Sequence, residues 1–307
     1  MAVTPAVSAA FPDALNPIFE QYKSEDFAGA SPDLIPALYG SGKSDRDKYQ
    51  ASSISGLADF TAFAGNVDYA SPVEGYDVTA THIEFAQGVQ IQRKLWDDAQ
   101  TEKIKQIFAG QRRAAHNTRQ KDAAQPFNNA FTTDNEFFSH SEGVNLASNS
   151  HTSPMSGVST ASGFDNLLTA ALAGTAVTAA RYTMRNLKDF TGEPIDEVPN
   201  LILVPAELEA EAEEIVKTKT GLDADTGNFN VEQGRYEIIS TVRLTDTNNW
   251  FALNKRLMKE NLIWIDRVAL ELKRMEAFDP ISFKSRGYMR YSYLYCFWQW
   301  MIGHQVS

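Results

Sequence analysis

The chain from Leu262 onward is the most demanding part of this sequence. Leu262 to Lys273, Ile281 to Lys284 and Tyr288 to Trp300 read as strands, and the last lies within RGYMRYSYLYCFWQW, Arg286 to Trp300. Side chains as large as Tyr and Trp bury wide areas, so strands this rich in them need a broad core to lie on. The 307 residues include 5 Trp, 11 Tyr and 18 Phe, and 43% are apolar, so a large core is available and global disorder is excluded. The length fits about two domains, or one with large insertions. No segment approaches the roughly 20 apolar residues that cross a bilayer.

Cys296 is the one cysteine, so no intrachain disulfide and no thiolate metal cluster can form, and within an aromatic strand it reads as a small buried apolar group. The formal charge of −11, from 28 basic and 39 acidic residues, argues against sequence-specific nucleic-acid reading by the whole chain. It leaves room for a local basic face. The N-terminus lacks the basic start and apolar core of a secretion signal, so a cytoplasmic chain is expected.

Residues 1–48 are rich in Pro, Ala, Asp and Ser with scattered apolar anchors, among them Leu34, Leu38 and Tyr39. This composition predicts an extended arm with a short helical piece near Asn16 to Tyr22, lying on something else. From Tyr49 to about Tyr76, Gly56, Gly65, Gly75 and Pro72 punctuate short apolar clusters and predict a two-stranded excursion. Val78 to Leu95 alternates, with Ile83, Phe85, Val89, Ile91 and Arg93 on one side, and Gly88 reads as a bulge.

A helix is expected from about 98 to 125, with Ile104, Ile107, Phe108, Ala115 and Thr118 facing inward. Its remaining surface carries Lys103, Lys105, Arg112, Arg113, Arg119 and Lys121 against Glu102 and Asp122, a balance of +4 over residues 101–125. Such a face is either solvated or turned toward a polyanion. Residues 139–162 are Ser-dense and read as a long loop. Leu167, Leu168, Ala171, Leu172, Thr175, Ala179, Tyr182 and Leu187 recur at helical spacing up to Gly192. A short apolar strand is expected at Leu201 to Val204, then a helix opened by Pro205, burying Leu208, Ala212, Ile215 and Val216 and ended by Gly221. Further strands are expected at Tyr236 to Ser240 and Trp250 to Asn254. The pattern is an irregular α+β chain.

Motifs for chemistry are weak. Gly42, Lys43 and Ser44 match the end of a phosphate loop, but the first glycine of that pattern is replaced by Ala37. His82, His116, His140, His151 and His304 have no helical metal-site spacing, and His140 and His151 could share a site only if the Ser-rich loop closes, with Glu142 the one notable carboxylate nearby. No Gly-x-Ser-x-Gly elbow occurs. Glu207, Glu209, Glu211, Glu213 and Glu214 spread around a helix start and read as a solvated face. No catalytic, cofactor or metal residues are assigned, and the chain does not read as an enzyme.

The order of these features resembles the major capsid proteins of tailed bacteriophages. The residues that carry the resemblance are Glu136 to His140 leading to Ser150 and His151, PNLILVP (Pro199 to Pro205) running into Glu207 to Val216, Trp250 to Leu253, and the closing run to Trp300. It is similar to the Hong Kong 97-type fold, nearest the Mu-like major head subunit group, over essentially the whole chain. The resemblance implies an N-terminal arm (1–48), an extended loop (49–80), a peripheral domain holding the spine helix (81–135), an axial domain (136–258) and a second peripheral piece (259–307).

It also implies a shell subunit that forms hexamers and pentamers of an icosahedral capsid around a double-stranded DNA genome, assembled in the host bacterial cytoplasm. Portal, scaffolding and decoration or cement proteins would be its partners, with no membrane and no cofactor. The basic helix, through Lys103, Lys105, Arg112, Arg113, Arg119 and Lys121, would face packaged DNA without reading its sequence. The arm starts almost at once, so scaffolding is expected to be either separate or already absent, and no crosslinking Lys and Asn pair is matched. An encapsulin-like compartment shell and a soluble α+β enzyme are the competing readings.

Overall fold

The computed structural model describes residues 32–54, 72–98, 101–133, 135–219, 230–277 and 282–306, with isolated positions between 57 and 69. The expected helix near Asn16 to Tyr22 and the stop at Gly221 lie outside the described residues. The fold is α+β, as expected. Along the chain the elements are α1 (Leu34–Leu38), β1 (Gly40–Gly42), β2 (Lys48–Ile54), β3 (Glu74–Thr81), β4 (Ile83–Gln92), α2 (Arg93–Asp97) and the long α3 (Thr101–Asn128). Then come β5 (Phe138–His140), β6 (Leu167–Leu168), α4 (Gly174–Arg185), β7 (Leu201–Pro205), α5 (Glu209–Lys217), β8 (Glu237–Thr241), β9 (Trp250–Leu253), α6 (Lys255–Asn261), β10 (Leu262–Ala277), β11 (Ser282–Tyr295) and β12 (Met301–His304).

One sheet has the order β1-β10-β11-β4 and carries α3 against its face. In β4 the odd-numbered apolar residues Ile83, Phe85, Val89 and Ile91 turn inward, as the alternation predicted. Gly88 is not a bulge, because β4 and β11 stay in register from Gln92↔Ser282 to Ile83↔Tyr291. The irregularity sits on the other side of β11, where β10 shifts register between Asp266 and Glu271. Ile281 to Lys284 and Tyr288 to Trp300, expected as separate strands, are replaced by one 14-residue β11 and a later β12. Gly287 does not interrupt it, since a strand paired on both edges holds a glycine that its own propensity would not.

A second sheet has the order β6-β12-β9-β7-β8. Strand β7 is buried at every residue, parallel to β8 and antiparallel to β9, which explains why LILVP is continuously apolar rather than alternating. Ala212, Ile215 and Val216 of α5 are buried, as expected. The expected helix from Leu167 is corrected. Leu167 and Leu168 pair with β12, and α4 begins only at Gly174. Its buried face is Ala176, Val177, Ala180 and Met184, whereas Thr175, Ala179 and Tyr182 face solvent. Strand β12 also places Met301 to His304 in this second sheet, although 259–307 was expected as one piece of the first lobe.

The stretch 33–42 is not an arm laid on a neighbour. Leu34, Leu38 and Tyr39 are buried in this chain's own core, the Tyr39 hydroxyl donates to Ala123 O (2.7 Å), and Leu34 N donates to Gln120 Oε1 (2.9 Å). Asp33 caps α1 by accepting from Ile35 N. Gly40 and Gly42 are glycines because the chain passes too close for a side chain: a Cβ at Gly40 would lie 2.0 Å from Lys259 O, and one at Gly42 would lie 2.7 Å from Ile263 Cγ2. The GKS stretch is therefore a strand end on β10, not a phosphate cradle. One continuous hydrophobic core joins both sheets, and Ile91, Ile104, Phe108 and Phe283 form a small second cluster under the start of α3.

Candidate interaction surfaces

The hairpin of β2 and β3 is the first. Its strands pair antiparallel from Lys48↔Thr81 to Ile54↔Glu74, and β3 takes β5 on its other edge, so β2 is an edge strand among the described residues. Eight residues of β3 extend about 26 Å at the usual strand rise. Burial falls away along it: Val78 and Ala80 near the base are buried, while Ile54, Leu57, Phe60, Phe63, Val67 and Tyr69 toward the tip are exposed. Phe60 is fully exposed and Tyr69 nearly so. A single copy of the chain leaves this apolar strip in water, and strips of that kind mark contact sites.

Helix α3 is the second. At about 100° per residue, its six basic side chains do not share one stripe. Lys103 and Lys121 fall on one flank, Lys105, Arg112 and Arg119 on the other, and Arg113 on the outer line between them. Burial agrees, since Lys103, Arg113 and Lys121 are exposed and the other three are half-buried. Lys105 Nζ donates to Glu102 (2.7 Å). Arg119 is committed to the fold: its guanidinium makes two hydrogen bonds to Asp266, at 2.8 and 2.9 Å, and lies 5.4 Å from the Trp264 ring centre and 5.5 Å from that of Tyr291. It is removed from the polyanion-facing set, because its charge is neutralised and its plane is stacked.

The Ser-rich loop does close, and brings His140, Glu142 and His151 together. His151 Nδ1 lies 3.1 Å from Glu142 Oε1, and that oxygen also accepts from Thr152 N. Glu142 N donates to His140 Nδ1. His151 stacks on Trp298 with centroids 4.0 Å apart, and His140 stacks on Tyr295 at 5.2 Å. Burial holds the His140 pKa below its ordinary value. One carboxylate among two stacked imidazoles is a hydrogen-bonded core joint, and no group of three metal-ligating side chains occurs among the described residues. The joint ties the hairpin to the second lobe, since Tyr76 of β3 reaches Thr152 Oγ1 and packs on Phe190.

On α5 Glu209, Glu211 and Glu214 are exposed and spread around the helix, with Glu207 exposed just before it. Exposed basic residues on β10 and β11, Lys273, Lys284 and Arg286, were not singled out from sequence. The i, i+2 spacing of Lys284 and Arg286 was the available signal, since it puts them on one face of a strand.

A model of the family described as phage capsid protein matches residues 75–301. The fold is similar to that of a chain in the mature capsid of bacteriophage PhiM1, with a TM-score of 0.58, 11% identity and coverage of 92% of this chain and 89% of that one. It is also similar to a chain in the capsid of a native GTA particle, with a TM-score of 0.56, 13% identity and coverage of 92% and 94%. Microbacterium phage Oxtober96 gives a TM-score of 0.54, 10% identity and coverage of 92% and 94%. No curated protein matches the chain in sequence.

Proposed function

The chain belongs to the phage capsid protein family, a family of structural proteins and not of enzymes, and from that membership we propose that it is the major shell subunit of a tailed phage. Copies form hexamers and pentamers that close into an icosahedral shell around double-stranded DNA. Assembly takes place in the host cytoplasm with a portal protein at one vertex, and scaffolding or decoration proteins join it there or later.

The observation that carries this reading is the exposure of Ile54, Leu57, Phe60, Phe63, Val67 and Tyr69, which stay outside this chain's core. Covering six apolar side chains on a neighbour recovers hydrophobic free energy on the order of 25 cal/mol per Å² buried, repeated at every contact that symmetry generates. On the inner side, Lys103, Arg113 and Lys121 of α3, flanked by Lys105 and Arg112, contact phosphates without base readout. The acidic face of α5 remains in solvent on the axial lobe.

The test is electron microscopy of the purified protein. Closed shells, or rings of five and six, are expected, and a clean monomer at high concentration overturns the reading. Phe60→Ser with Phe63→Ser should leave the subunit folded by circular dichroism while abolishing closed shells. Shells of normal yield from that variant would remove the hairpin from the argument.

A further inference from the structure

The distal half of the β10-β11-β4 sheet has two faces, and among the described residues only one is covered. Phe283, Ser285 and Gly287 of β11 turn toward α3: Phe283 meets Phe108, and the Ser285 hydroxyl donates to Gln111 Oε1 (2.8 Å). The alternate residues, Lys284 and Arg286, point the other way. Their cross-strand partners are Met275 and Lys273 on β10 and Gln90 and Gly88 on β4. Residues directly opposite in an antiparallel pair share a face, so Lys273, Lys284 and Arg286 stand together on one surface. With Gly88 and Ala86 as a floor that lacks long side chains, they line an open groove of about 580 Å³.

We propose that this groove docks an acidic, extended polypeptide segment of a partner protein. The inference rests on the shell-subunit reading and names one binding surface of that shell. Charge complementarity argues for the occupant's sign: among the described residues Lys284 and Arg286 make no ion pair, in a chain of net charge −11. The lining argues for a peptide over nucleic acid. Met275 is 63% exposed beside the cations and offers an apolar contact that suits side chains and not phosphates. Glu271 sits 2.9 Å from Lys273 Nζ, so the surface is mixed in sign, and that carboxylate would repel a phosphate placed beside it. Beyond Ile265 the outer edge of β10 is unpaired among the described residues, as is the outer edge of β4, so both can hydrogen-bond an added strand.

The probe is a fluorescent oligoglutamate of about 20 residues, added to assembled shells, with a 20-base-pair DNA duplex as competitor. Oligoglutamate should bind with a steep salt dependence, and Lys284→Glu with Arg286→Glu should weaken it at least tenfold, while Arg185→Glu with Lys217→Glu, at the ends of α4 and α5, leaves it unchanged. Unchanged binding in the sheet variant, or stronger binding of the duplex at the same residues, overturns the proposal. So does failure of the neutral Lys284→Gln with Arg286→Gln variant to form shells, since the groove would then be a contact between copies. Shell formation is scored separately by microscopy, so loss of probe binding from intact shells bears on the groove alone.

Discussion

Arg119 shows how a residue legible by type can be illegible by role. Its position in a run of cations made it one of six candidates for a polyanion face, yet the structure spends it on Asp266, Trp264 and Tyr291. The partner is 147 residues away, beyond what spacing along a helix can reveal. A bidentate pair that is one-fifth exposed on the arginine side, with two rings beneath it, exceeds an ordinary surface ion pair. Arg119→Ala should therefore destabilise the subunit by about 1–2 kcal/mol, read as a lower midpoint in urea. Lys103→Ala, on the exposed flank, should leave that midpoint within about 0.5 kcal/mol of the parent. Equal effects of the two would return Arg119 to the surface set. Gly40 and Gly42 teach the same lesson, since the close approach of α6 and β10 that excludes their side chains is a tertiary fact.

At the scale of elements, periodicity was informative wherever one face of a segment is solvated. The inward face of β4, the burial of α5 and the apolar run of β7 follow from alternation, helical spacing and continuous hydrophobicity. It failed where pairing overrode local pattern, as in Leu167 and Leu168, whose helical spacing with later residues is outweighed by their hydrogen bonds to β12. Helix α6 was overlooked although Asn254 is a legible cap, its side chain accepting from Leu257 N. The most consequential element is α1. An arm ending near residue 48 implied that residues 1–40 could be removed from a folded subunit, but Leu34, Leu38 and Tyr39 belong to its core. Leu34→Ala should lower the thermal midpoint by removing one buried anchor yet preserve cooperative unfolding. Deleting residues 1–40 should abolish it, because losing three buried anchors at about 2–4 kcal/mol each is comparable with the whole stability of a domain. Calorimetry of the two variants distinguishes the cases, and transitions identical to the parent's would show that α1 is dispensable.

For the whole molecule, net charge and composition gave the class, and the order of features gave the family and the fold, but acid sensitivity comes only from three-dimensional burial. His304 lies buried between Trp250, 3.6 Å away in ring stacking, and Ala170 O, and burial pushes its pKa down to about 4. Burial, with Arg290 beside it, lowers His82 as well, and burial lowers His140. A folded-state pKa below the unfolded value means that the unfolded chain takes up the proton first, so the stabilisation is complete above about pH 6.5 and is lost as pH falls toward 4. For His304 alone the loss is on the order of 3 kcal/mol across that window. The thermal midpoint of the unassembled subunit should drop steeply between pH 6.5 and 4.5, and His304→Phe should flatten that slope. A parent midpoint that does not move with pH would refute the burial argument.

The position of β12 has a bearing on timing. This strand lies between β6 and β9 in the middle of the second sheet, yet a ribosome makes it after every other strand described here. Until Met301 to His304 emerge, β6 has no neighbour and β9 is open on one edge, so a nascent chain holds an incomplete lobe. A chain still tethered to its ribosome therefore lacks the strand that joins β6 to the rest of that sheet.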